Sequence, residues 1–319
     1  MGPWVKVFAH QVPALDEIVA RGRAYFRGEW RHPTLRRIKP RFASLVVGGT
    51  GVGKTALATI AGEALNATLG RISTPAWIPV GAHNRGATET LVMIAGHVTR
   101  NSRTLLVLDE IDKICAHGRG SGQDAWLAYI RGEIMDLTDC RWPEGLRITA
   151  DDADEEPPDA KGLAERLTTK LRNTVFILGI GTFQDFFDTV GTRRTMGFVT
   201  DDDEGLSELS AVTVAERLPR ELANRFNSNL IRLPELRPAD YQAIALEAAD
   251  SLPGYIRAPF LAAAIRQIPG AIAAKKGVRF LEEAMLDTLK NLPSEPAPQS
   301  LPTPSPLTTT EPPTVECTL

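Results

Sequence analysis

The chain of 319 residues is 43% hydrophobic and 24% charged, ordinary values for a globular protein with material for one large domain or two modest ones. Its formal net charge of -3 gives the whole molecule no pull toward nucleic acid or an acidic membrane surface, so any such affinity has to be local. Cys115, Cys140 and Cys317 form no CxxC spacing, which argues against a zinc site and a disulfide scaffold. No apolar run approaches the roughly 18 residues that span a bilayer. The first residues also lack the apolar core of a secretion signal, so no membrane partner and a cytoplasmic location are expected.

Residues 11–30 place Val12, Leu15, Ile18, Val19, Tyr25 and Phe26 at helical spacing, which predicts an amphipathic helix leading into the core. Residues 27–41 carry Arg27, Arg31, Arg36, Arg37, Lys39 and Arg41, a basic stretch that reads as a solvated linker, a subunit contact or a contact to nucleic-acid phosphates. Next comes FASLVVGGTGVGKTAL, residues 42–57: an apolar strand, a glycine-rich turn of the GxxxxGK[ST] form with Gly48 and Gly53 as its fixed glycines, and a helix expected over 55–69. ISTPAWIPVG then reads as a strand broken by Pro75 and Pro79 at an edge or end. Residues 86–98 read as a helix, and RTLLVL, residues 103–108, as a strand buried on both faces, with Asp109, Glu110, Ile111 and Asp112 at its carboxyl end.

A glycine-rich turn over 118–122 precedes a helix expected over 124–137, and the acidic stretch 140–161 reads as a solvated loop without chemistry. NTVFILG, residues 173–179, is the next buried strand and runs into Ile180, Gly181 and Thr182. A charged loop over 191–207, a helix over 214–226 and a short strand over 229–233 follow. Strands separated by helices predict an α/β fold with a parallel sheet. Beyond residue 237 only helices are expected, over 239–250, 259–268 and 278–292, with Pro238 and Pro259 at helix starts. Residues 293–319 are mostly Pro, Ser, Thr and Glu and are expected to be disordered. The expected organisation is a leading helix and basic linker over 1–41, an α/β nucleotide-binding domain over 42–236, a small helical lid over 237–292 and a tail over 293–319.

The glycine turn has a definite chemistry. Between Gly48 and Thr55, through Gly49, Thr50, Gly51, Val52 and Gly53, the backbone curls so that successive N–H groups face phosphate oxygens at the positive end of the helix that follows, with Ala56 in its first turn. Lys54 then reaches the β and γ phosphates and the Thr55 hydroxyl binds Mg²⁺. Hydrolysis needs in addition an acid that orders the metal and a group that orients water. In RTLLVLDEIDK, Asp109 can hold the metal through a water and Glu110 can polarise the attacking water, so an NTPase using ATP and Mg²⁺ is expected.

The run Leu108-Asp109-Glu110-Ile111-Asp112-Lys113 resembles the acidic motif of AAA+ ATPases, most closely the ClpX-type protein unfoldases, and the resemblance extends in motif order over residues 5–293. It implies a ring, expected to be a hexamer, that hydrolyses ATP between subunits and remodels a protein partner. It also implies several roles. Val7 and Phe8, with His10, stand in the segment that wraps the adenine, His10 being equally readable as a packed side chain. Thr182 stands at the end of the γ-phosphate-sensing strand, or serves as a strand cap. Arg225, in LPRELANRFN, is the arginine finger that reaches the neighbouring subunit's nucleotide. Lys276 or Arg279, in AAKKGVRFLEEAM, is the lid residue that reports nucleotide state.

The resemblance breaks at VGAHNRGATET, residues 80–90, where His83, Asn84 and Arg85 stand in place of the aromatic residue with which the unfoldases grip polypeptide. Two further readings therefore stay open. One is a nucleic-acid-linked ATPase of transposition, replication or phage type, binding phosphates in a salt-sensitive way. The other is a nucleotide-controlled scaffold with negligible turnover, which would have no need of Glu110 and Arg225.

Overall fold

The computed structural model of the chain describes residues 7–33, 40–77, 89–115, 121–143, 160–183, 218, 220–226 and 230–292. Five strands, β1 (Ser44–Val47), β2 (Thr68–Ser73), β3 (Thr104–Asp109), β4 (Val175–Gly181) and β5 (Ile231–Arg232), form a sheet of order β2-β3-β4-β1-β5, and every pairing in it is parallel. Side chains alternate across a strand, so the apolar runs feed two cores at once. Leu45, Val47, Leu106, Leu108 and Ile177 point to one face, where α3 (Glu89–Arg100), α4 (Ser121–Thr138) and α5 (Ala160–Thr174) cover them. Val46, Leu105, Val107, Phe176 and Leu178 point to the other, covered by α1 (Val12–Arg27) and α2 (Lys54–Ala64). This α/β architecture is the one expected.

Parallel strands bring all their carboxyl ends to one edge. The glycine turn leaves β1 there, Asp109 ends β3 there, and β4, which lies between β1 and β3, delivers Thr182 between them. A short α6 (Arg220–Ala223) precedes Arg225. The last three helices, α7 (Pro238–Asp250), α8 (Gly254–Ala273) and α9 (Phe280–Asn291), pack around their own core of Tyr241, Ile244, Phe260, Ala264, Ile268 and Phe280.

Several expected boundaries are corrected. The helix after the glycine turn stops at Ala64, not Leu69, because Asn66 turns the chain at φ 49 and β2 starts at Thr68. The strand placed at ISTPAWIPVG ends at Ser73; Pro75 has no N–H for a ladder, and Thr74–Ala76 is a 3-10 turn. Residues 160–174 form α5, where a loop is expected up to 161, a strand from 173 and no element between; Leu163, Leu167 and Leu171, four residues apart, stripe its inner face. Strand β4 runs on to Gly181.

Pro259 does not open a helix, since α8 starts at Gly254 and contains both Pro259 and Pro269. Both prolines are exposed, as are Tyr255 and Ile265 four residues before them, so water reaches the carbonyls that lose their helical partners. Residues 78–88, 184–217 and 293–319 lie outside the described residues, and with them the 80–90 loop up to residue 88, the 191–207 loop and the tail. Among the described residues no helix is long and apolar enough to cross a membrane.

Candidate nucleotide site

The glycine turn is fastened from outside through its carbonyl groups. Lys54 Nζ donates to the carbonyls of Gly48 and Gly49, both at 2.7 Å. The Val278 N–H of the helical lid donates to Gly51 O at 2.8 Å. Gln11 Nε2 donates to Val52 O at 3.1 Å, and His10 Nε2 lies 3.4 Å from the same oxygen. Gly51 and Gly53 have φ of 77 and 87, a left-handed conformation that only glycine takes readily. At Gly51 space requires glycine too, since a Cβ would stand 2.1 Å from the backbone oxygen of Lys276; at Gly53 a Cβ would stand 2.2 Å from Gln11 Nε2 and push that side chain off Val52 O. With its carbonyls tied outward at the N-terminus of α2, the loop presents the amide cradle and positive helix end that suit a phosphate chain.

Thr55 and Asp109 meet as expected, with Thr55 Oγ1 donating to Asp109 Oδ2 at 3.2 Å. A hydroxyl and a carboxylate oxygen so close together are hard donors of the kind Mg²⁺ takes, so these residues fit the metal and would hold it. Asp109 is buried, and Arg71 on β2 reaches it from the side, Nε at 2.9 Å and Nη2 at 2.8 Å from Oδ2.

Glu110 is exposed and sits at φ 57, a strained conformation for a residue with a side chain. It is held there by Asp109 Oδ1, which accepts its N–H at 2.9 Å, and by the Thr74 hydroxyl and Lys113 N–H, which donate to its carbonyl at 2.7 and 2.9 Å. The Ser73 hydroxyl donates to its carboxylate at 3.3 Å.

Asp112 accepts the N–H groups of Thr182 at 3.1 Å and Phe183 at 3.3 Å, so the acidic motif itself fixes the end of β4 beside the site. Phe8, half-buried, packs on the lid core, donates its N–H to Gln11 Oε1 at 3.1 Å and lies parallel to His10 with ring centroids 6.1 Å apart. Burial lowers the His10 pKa, which leaves the ring neutral at pH 7. Val7 is half-buried next to Phe8, while Thr50 and Ala56 stand exposed at the loop and at the first turn of α2.

Of the two lid candidates, Lys276 Nζ pairs with both carboxylate oxygens of Glu283 at 2.8 Å. Arg279 lies close enough to Lys54 for the two charges to repel. Of the two, Arg279 is thus the lid cation whose charge acts on Lys54, while Lys276 is paired with Glu283. Arg225 is not among the clustered residues: its Nε donates to Asp139, just past the end of α4, at 3.2 Å, and its Nη1 donates to Glu221 O on α6 at 2.6 Å. Reading the sequence missed Arg71, Asp112 and Gln11. Asp112 had a signal, the third acid of DEIDK; the other two depend on which strands and turns become neighbours.

Burial pushes the Lys54 ammonium down to about 8, and Arg279 adds to this, while Asp112 and Asp109 oppose it. A phosphate chain favours the charged lysine, so binding raises this pKa and takes up a proton. Affinity for ATP is therefore expected to be flat below pH 8 and to weaken above it, approaching about tenfold per unit. Nucleotide fluorescence titrations between pH 6.5 and 9.5 check this. Lys54→Met should bind weakly at every pH, with the dependence gone; an unchanged slope would assign it to another group.

A glycine loop between strand and helix, with lysine, threonine and aspartate at one sheet edge, defines the class of P-loop nucleotide-binding domains. Within that class, residues 44–139 match the model of the family described as ATPase family associated with various cellular activities (AAA). The match spans the glycine loop, Arg71 and the acidic motif, and it supports an ATPase of the AAA+ type. Comparison with curated proteins returned no match.

Proposed function

We propose that the chain is a ring-forming AAA+ ATPase that hydrolyses ATP at subunit interfaces and couples this to remodelling or unfolding of a protein partner. The observation that carries the reading is the juxtaposition of Thr55, Asp109 and Glu110 beside the glycine loop, with Asp112 holding the β4 end next to them. In this reading the loop amides and Lys54 hold the phosphates, Thr55 and Asp109 hold Mg²⁺, Glu110 orients and deprotonates water, Thr182 and Arg279 sense the γ-phosphate, and Val7 and Phe8 flank the adenine. Bound Mg²⁺ supplies Lewis-acid polarisation of the phosphate oxygens. Arg225 acts on the neighbouring subunit's nucleotide, and a hexamer is the ring expected. The ClpX-type assignment rests on the order of the motifs.

The test is ATP turnover of the wild-type chain alone, with an unfolded protein and with DNA. Stimulation by unfolded protein is the expected result. Stimulation by DNA alone would replace the protein partner by nucleic acid, and absence of turnover in every arm would leave a nucleotide-controlled scaffold.

A further inference from the structure

Asp109 Oδ2 is crowded. It accepts from the Thr55 hydroxyl and from two nitrogens of Arg71, while Oδ1 accepts the Glu110 N–H. The Thr55 hydroxyl and the Glu110 N–H are held by short connections to the first turn of α2 and to the chain just after β3. Arg71 differs, because its side chain is 54% exposed while that of Asp109 is 7% exposed, and it reaches across from β2, where Ser73 pairs with Asp109 in the ladder. The Glu110 N–H cannot leave without moving the backbone and the short Thr55 side chain stays beside the carboxylate, whereas the long, half-exposed Arg71 side chain can carry its guanidinium away into solvent.

The oxygen that Arg71 covers is also the one that accepts from the Thr55 hydroxyl, where the reading above would hold a divalent cation. A guanidinium and a metal are both cations, and one carboxylate oxygen already accepting from Thr55 cannot serve both fully. We propose that Arg71 is a positioning residue that holds Asp109 as an internal counter-cation and exchanges with the divalent metal, so that it sets the metal affinity of the site. This rests on the ATP and Mg²⁺ reading above. When the metal arrives Arg71 is displaced toward solvent on the phosphate side of the sheet edge, and when the metal leaves Arg71 keeps the buried carboxylate paired.

The test uses Mn²⁺ as a paramagnetic probe, its binding to the ADP-loaded protein followed by electron paramagnetic resonance, with ADP affinity measured separately in EDTA. Because water reaches the half-exposed guanidinium and screens the pair, Arg71→Ala and Arg71→Gln are expected to bind Mn²⁺ only about three- to fivefold more tightly than wild type. Arg71→Lys, which keeps the charge, should stay within about twofold of wild type. Mn²⁺ affinity unchanged or weaker in both neutral variants, or Arg71→Lys behaving like them, would overturn the exchange while leaving the nucleotide reading intact. Failure of the wild type to bind ADP in EDTA would instead remove the nucleotide reading and the exchange with it. Arg71→Gln keeps the result decisive if Arg71→Ala melts early.

Discussion

Glu110→Gln is expected to bind ATP like the wild type and to turn it over about a hundred- to ten-thousandfold more slowly, the usual contribution of a positioned general base. The substitution is nearly isosteric, and the contacts that impose the left-handed backbone, from Asp109, Thr74 and Lys113, go to main-chain atoms and survive it. Only the carboxylate charge is lost, the group that would take the proton of the attacking water. Steady-state turnover with a parallel nucleotide-binding titration separates the two effects. Turnover within a few fold of wild type would remove Glu110 from the chemistry and leave its strained backbone unexplained by function.

Arg225→Ala carries the second large effect: turnover is expected to fall by about a thousandfold or more with ATP binding retained, as for other arginines that stabilise charge on a transferring phosphoryl group. Within one chain Arg225 is tied to Asp139 and the Glu221 carbonyl, and its side chain is 25% exposed. A partly exposed pair of this kind is worth about 1 kcal/mol at most, so the melting temperature should barely move. Arg225→Lys should not restore activity, because an ammonium lacks the fork of a guanidinium.

The decisive measurement is subunit mixing. Glu110→Gln subunits keep Arg225, Arg225→Ala subunits keep Glu110, and a mixed ring contains interfaces where both are intact. Recovery of turnover on mixing two inactive preparations is expected from a shared site. No recovery, with each variant still assembling, would place Arg225 in its own chain's structure.

The fold class, and the meeting of the glycine turn with Asp109 and Glu110 at one sheet edge, were legible in the sequence because their physics is local. A cradle of consecutive amides needs glycines at fixed spacing, and the acids that serve it sit at a strand end that an apolar run announces. Helix ends were harder: Asn66 and the exposed prolines of α8 act through turn geometry and access to water, which composition does not reveal. Helix α5 was missed although its leucines recur every four residues, because its polar face and the acidic stretch before it masked the period.

What the sequence determined by itself is a glycine loop of the nucleotide-binding form at Gly48 to Thr55, followed by Asp109 and Glu110 at the end of an apolar strand, a pattern fixed by local spacing alone. Tertiary structure alone decided who their neighbours are. Pairing β2 with β3 puts Arg71 on Asp109, docking of the lid brings Val278 to Gly51 O and the Arg279 charge within reach of Lys54, and the turn before α1 brings Gln11 to Val52 O. These contacts join residues tens to hundreds of positions apart, and strand order and domain packing, not spacing along the chain, set such distances.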